Sequence, residues 1–138
     1  MNNKKIDISY KDIEGKFNVM QYCVDNSINI KEVTSLYCEY NQIEEIEGLD
    51  QLENLKYLHC QKNKIKSLKG LNKLVNLCGL NCSKNKITEL KALASLTNLK
   101  SISYSYNKIE DIDILERLES LQEVNGKVYK RKKKRQNK

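Results

Sequence analysis

Across residues 33–120 the apolar and polar positions repeat every 22 residues, four times over. Val33, Leu55, Leu77, Leu99 and Leu121 mark the interval, and Ile43, Ile65, Ile87 and Ile109 keep it. So do the polar residues Asn41, Asn63, Asn85 and Asn107. A fixed period of this length predicts a solenoid, in which each unit buries its apolar face only against its neighbours. In the unit 55–76 the apolar positions are Leu55, Leu58, Cys60, Ile65, Leu68, Leu71 and Leu74. Leu58-His59-Cys60 alternates inward and outward as a short strand does. After Asn63 the spacing becomes every third residue, which suits a 3₁₀ or irregular return arm, where i and i+3 eclipse.

This arrangement resembles the leucine-rich repeat family, whose consensus reads L-x-x-L-x-L-x-x-N-x-I-x-x-I-x-x-L-x-x-L. Four consecutive matches carry the likeness, and the unit length resembles the short-repeat subclass of phosphatase regulators and internalins. The resemblance implies an α/β solenoid. It would be a right-handed curved superhelix with a parallel sheet on its concave side and 3₁₀ or irregular convex arms. It also implies a working surface on the concave side and protein partners, with no cofactor.

The Asn column has a structural reason. Where a strand turns sharply into its arm the backbone loses ladder partners, and a buried amide both donates and accepts. We therefore assign Asn41, Asn63, Asn85 and Asn107 to a structural ladder. The third strand position reads Cys38, Cys60, Cys82 and then Tyr104. Stacked thiols invite a metal or disulfide reading, but buried free Cys packs as a small hydrophobe, and Tyr104 in the same column favours packing.

Four segments follow from the pattern. Residues 1–32 do not fit the repeat and are expected to cap it, with a short strand at 6–10 and an amphipathic helix over 12–26. Ile13, Phe17, Met20 and Val24 would share that helix's inner face. Residues 33–120 hold the four repeats, and 121–129 form a truncated closing repeat with a turn at Asn125-Gly126. Residues 130–138 form a basic tail, containing Lys130, Arg131, Lys132, Lys133, Lys134 and Arg135, that is expected to be disordered because like charges repel.

Charge bears on partners through that tail. The chain has 25 basic and 18 acidic residues, net +7; without the eight basic residues of 127–138 the balance is 17 against 18. The tail fits a contact with nucleic acid or an acidic partner, a nuclear import signal, or a solubilising end. No apolar run reaches the roughly 18 residues of a membrane span, and the start lacks the apolar core of a secretory signal. Five Cys without framework spacing point to a reducing, intracellular compartment, cytoplasmic or nuclear. A monomer is expected.

Catalytic signals are sparse. His59 is the only histidine, so no multi-His metal site can be built in one chain. No nucleophile elbow, P-loop or dinucleotide-binding glycine motif occurs. Cys78 beside His59 is the one conceivable nucleophile pair. A binding face is better supported. Strand residues that alternate with the core face outward, and the aromatic ones cluster in the first two repeats. We select Tyr37, Glu39, Tyr57, His59, Gln61, Asn81 and Ser103, with Tyr106 on the rim, as partner-binding positions. Tyr37, Tyr57 and His59 form the expected hot spot, since exposed tyrosine combines apolar area with a hydroxyl. The last two repeats offer the small residues Gly79, Ser83, Ser101, Ser103 and Ser105, a half that either leaves room for a bulky partner element or is inert.

Overall fold

The computed structural model describes residues 4–132. One seven-stranded sheet runs the length of the chain in the order β1 (Lys4–Asp7), β3 (Val33–Tyr37), β5 (Tyr57–His59), β6 (Gly79–Asn81), β7 (Ser101–Ser103), β8 (Glu123–Val124) and β9 (Lys127–Val128). Every pair is parallel except β8 with β9. Register is kept: Leu36, Leu58, Leu80 and Ile102 stand in line. Short 3₁₀ turns at Leu49–Gln51, Leu71–Lys73, Lys91–Leu93 and Asp113–Arg117 occupy the return arms. This is a leucine-rich repeat α/β solenoid, with the sheet lining the concave side.

The core is the stack of repeat leucines and isoleucines between sheet and arms, with Cys38, Cys60 and Cys82 buried among them. Burial pushes the Cys82 thiol up to about 12 and raises Cys38 and Cys60 too. They are packed thiols, not thiolates.

The Asn ladder closes each strand–arm corner. Asn63 Nδ2 donates to Cys38 O at 3.0 Å and to Cys60 O at 3.1 Å, while Ile43 N–H donates to Asn63 Oδ1 at 3.0 Å. Asn85 and Asn107 repeat this pattern one unit further on. Asn41 reaches Ile8 O and accepts from Lys11 and Ile13 N–H. The amide therefore ties each unit to the one before it. A second column, Asn54, Asn76 and Asn98, does the same at the other corner. Each donates to a carbonyl of the preceding unit: Lys31 at 2.9 Å, Glu53 at 3.1 Å and Val75 at 2.8 Å.

The N-terminal segment differs from the helix expected over 12–26. Residues 14–18 form a strand, β2 (Glu14–Asn18), paired in parallel with β4 (Gln42–Glu47) on the arm side. The helix is only α1 (Val19–Asp25), opened by Asn18 Oδ1, which accepts from Gln21 N–H at 3.0 Å. Val19 and Cys23 are its buried residues, whereas Val24 is 72% exposed. The 3–4 spacing misleads because Ile13 and Phe17 belong to a strand region and only the remainder is helical. The segment is a divergent extra unit: Ile6 pairs with Leu36 in the main sheet, Ile8 N–H bonds Tyr37 O at 2.8 Å, and Tyr10 stacks on Tyr40.

At the other end β8 and β9 form a hairpin through Asn125 (φ 51°) and Gly126 (φ 78°), the two left-handed residues such a turn requires. The chain after it is not loose at once. Tyr129 Oη donates to Glu116 Oε1 at 2.8 Å, the Arg131 guanidinium donates to Leu118 O, and Lys132 N–H meets Glu116 Oε2 at 3.3 Å. Lys130, Arg131 and Lys132 thus lie along the last arm, contrary to a tail disordered from residue 130, because Glu116 supplies a counter-charge and an acceptor. Lys133, Lys134 and Arg135 lie outside the described residues.

Candidate partner-binding face

Alternate strand residues project from the sheet away from the core. Tyr37 and His59, in register on β3 and β5, stack with ring centroids 4.6 Å apart and 26° between planes. Lys5 on β1 extends the row: its Nζ lies 4.1 Å from the Tyr37 ring centre and 3.4 Å from Asp7. Burial holds the His59 imidazole below its ordinary value, with Glu39 pulling the other way and Lys5 reinforcing the shift. The ring is neutral at pH 7.

Tyr57 is 45% exposed and lies over Gly79. A Cβ at residue 79 would stand 3.0 Å from Tyr57 Cδ1 and 3.3 Å from Ser101 Oγ, and Gly79 is buried. This corrects the expectation that Gly79 leaves open space: the glycine is filled by the tyrosine of the preceding strand. Asn81 stays on this face but spends its side chain along its own chain, where Oδ1 accepts from Ser83 Oγ at 2.8 Å and Ser83 N–H at 3.2 Å. Ser103 is half-buried and its carbonyl accepts from Cys82 N–H. Asn125, at the end of the row, spends its side chain on Tyr104 N–H at 2.9 Å. Glu39 and Gln61 lie on the face two residues beyond the Tyr37–His59 pair.

A rim runs along the strand exits. Tyr10, Tyr40, Lys62, Lys84 and Tyr106 each precede the corner and all have φ between 55° and 60°. Non-glycine residues there carry strain of about 1–2 kcal/mol, held in place by the Asn ladder next to them. Their side chains meet in two groups. Tyr10 and Tyr40 stack at 4.4 Å, Lys62 Nζ lies 4.2 Å from the Tyr40 ring centre, and Lys84 lies 5.5 Å from that of Tyr106. Tyr106 is 78% exposed. The structure therefore gathers Tyr37, Glu39, Tyr57, His59 and Gln61 into one patch, and sets Tyr106 and Ser103 at a distance from it along the sheet. Sequence reasoning missed Lys5 and Asp7, because β1 was assigned to a cap and not to the face. The signal was present in Ile6-Asp7-Ile8, whose alternation matches that of the later strands.

The nucleophile pair finds no support in this geometry. Cys78 Sγ donates to Asn76 O at 3.4 Å, while His59 is engaged with Tyr37. Among the described residues no helix is long and apolar enough to cross a membrane.

Comparison with known proteins agrees with the fold. The family described as leucine-rich repeats (2 copies) matches residues 31–73. Internalin C2 of Listeria monocytogenes is 36% identical with a TM-score of 0.66, over 68% of this chain and 42% of its own. The functional domain of InlJ from the same organism, described as including a cysteine ladder, is 26% identical with a TM-score of 0.74, over 88% of this chain and 24% of its own. A leucine-rich repeat protein of Leptospira interrogans is 36% identical with a TM-score of 0.64, over 68% of this chain and 25% of its own. The chain thus spans less than half the length of these structures. No curated protein sequence matches significantly. The chain is a leucine-rich repeat protein, and the fold and its relatives are those of protein-interaction modules in general.

Proposed function

We propose that this chain is a non-catalytic adaptor or regulatory scaffold that docks a protein partner on the concave face of its sheet, centred on Tyr37, Tyr57 and His59. The observation that carries the reading is the stacked Tyr37–His59 pair beside the exposed Tyr57 ring, fixed on strands whose corners are locked by the Asn ladder. Side chains already ordered lose little freedom on binding, so more of the contact energy is available for affinity. Aromatic residues at the centre of a patch are the usual anchors of an interface.

The test is affinity capture with the intact protein beside a Tyr37/Tyr57/His59 triple-alanine variant. The reading expects a partner retained by the first and lost by the second, with both proteins equally folded. It fails if the same partners are held by both.

The reading also places the protein in a reducing, intracellular compartment as a monomer. Five unpaired cysteines support the compartment. The antiparallel β9 and the charged Lys4 and Lys5 at the two ends of the sheet discourage edge pairing.

A second reading makes the basic C-terminal end a contact for nucleic acid, supported by the location of the excess positive charge there. Phosphate contacts lose affinity steeply with salt. Deleting 130–138 should then abolish RNA or DNA retention at low salt while leaving the protein partner bound.

A further inference from the structure

The charges of the solenoid are sorted by repeat. Residues 33–54 carry six acidic residues and no basic one. Residues 55–76 carry Lys56, Lys62, Lys64, Lys66, Lys69 and Lys73 and no acidic one. The two blocks do not neutralise each other by contact. Among the described residues the ion pairs engage only Lys5, Lys16 and Lys91.

The basic charge gathers where the strands turn into the arms. Lys62 and Lys84 stand just before the corner asparagine, and Lys64 and Lys86 just after it, in the second and third repeats. The backbone beneath each is fixed. Lys62 N–H donates to Ser83 O at 3.0 Å and Lys84 N–H to Ser105 O at 2.8 Å, while Lys64 and Lys86 N–H donate to Ile43 O and Ile65 O, both at 2.8 Å. Lys66 carries the row onto the arm. All are exposed except Lys62, which is half-buried. Three of the ammonium groups have neutral neighbours: Lys62 the Tyr40 ring, Lys64 the Gln42 Oε1 at 3.2 Å, and Lys84 the Tyr106 ring. Like charges on adjacent strands about 4.8 Å apart repel, and no ion pair at this corner offsets the repulsion. Glu44 and Glu110 take the place of Lys66 in the first and fourth repeats. The basic track is therefore two repeats wide, with acid on either side. At its rim stands Tyr106, the most exposed of the tyrosines beside it at 78%.

We propose that this corner is a track for single-stranded nucleic acid, with phosphates over Lys62, Lys64, Lys66, Lys84 and Lys86 and a base stacked on Tyr106. Lysine meets phosphate as a point charge, and a basic groove beside an open aromatic ring is the usual means of holding single strands without reading their sequence. An acidic peptide would use the charges and leave the ring idle. A duplex would keep its bases from the ring. The track is separate from the concave face and from the basic C-terminal end.

The test is fluorescence anisotropy of a labelled fifteen-nucleotide oligothymidylate titrated with the full-length protein from 50 to 200 mM salt. Affinity should fall with a log–log slope of about −3.5, as for five phosphate contacts on a single strand. Lys64/Lys66/Lys86→Gln should bind at least tenfold more weakly at the lower salt, with a slope shallower by about 2. It should melt no lower than wild type, because it relieves repulsion. Tyr106→Asn, in which Asn tolerates the left-handed backbone, should weaken binding about fivefold or more at unchanged slope. A full-length protein with Lys133, Lys134 and Arg135 changed to Gln should keep both effects. If that tail variant loses the oligonucleotide and the corner variant keeps it, the contact belongs to the basic end and the track falls. If no protein binds it, both fall. Tyr106→Asn binding as wild type overturns the proposal, as does equal affinity for a hairpin duplex or a glutamate peptide. So does an ignored oligonucleotide with low-salt dimerisation that the corner variant lacks, which would give the track to the acidic first repeat of a second copy.

Discussion

At the scale of single residues, the corner asparagines decide whether a short strand can turn into an arm without orphaned backbone groups. Asn63 joins two carbonyls and one N–H from two successive units. Asn63→Ala leaves all three without a partner in the core. The expected loss is about 1–3 kcal/mol for each group that finds no water, read as a lower urea midpoint at unchanged m-value. His59 sets a pH dependence. Its folded-state value lies below the ordinary 6.5, chiefly through burial. The unfolded chain therefore binds the proton more readily, and stability falls as pH drops below about 6.5 and levels off, for this group, below the depressed value. Thermal melts from pH 7.5 to 5.0 should show wild type losing more than His59→Gln over that window; parallel curves would contradict it. The Asn, Leu and Ile columns were legible because each recurs at 22 residues and each has one physical reason to do so. The closure of Asn81 on Ser83 was not legible: a sequence shows that two residues are polar, not that they bond each other.

Among elements, the regular units were readable and the divergent first one was not. Its strand pairs residue 6 with residue 36, an interval that a 22-residue scan does not see, because α1 and β2 lengthen the unit. No Asn of its own marks the corner; Asn41 of the next unit serves instead, accepting from Lys11 and Ile13. The arms also change character along the solenoid. Gly48 (φ 78°) and Gly70 (φ 95°) open the 3₁₀ turns of the first two repeats in the left-handed region. In the third and fourth, Leu90 and Ile112 take that role at φ near −110°, and the turn starts earlier. The recurring glycines announced a turn; their replacement by Ala92 and Ile114 announced its rerouting, which spacing alone does not show. Both glycines should resist substitution, Gly48 more so. A Cβ there would stand 2.5 Å from Met20 Cγ on α1, against 3.4 Å from Asp50 N at Gly70. Gly48→Ala should cost about 1–3 kcal/mol from backbone strain and a displaced cap helix. Gly70→Ala should cost less, and equal denaturation midpoints would contradict this.

For the whole molecule, the consequence of stacking is a rigid face with an uneven distribution of chemistry. Tyr37, Tyr57 and His59 occupy the half nearest the N-terminal unit, and serines occupy the other. Charge is divided as well, with a near-neutral solenoid and a basic end whose first residues are held against Glu116. The arms carry exposed apolar residues too, among them Val75 at 48% and Ile112 at 45%, so the face must be tested against them. The most direct measurement is calorimetric titration of the captured partner into three proteins: wild type, Tyr37/Tyr57/His59→Ala, and Val75→Ala/Ile112→Ser. A concave-face module predicts roughly a hundredfold loss of affinity, or about 2.7 kcal/mol, for the first variant, and less than threefold for the second. A partner indifferent to the face residues but lost with the arm residues would contradict it.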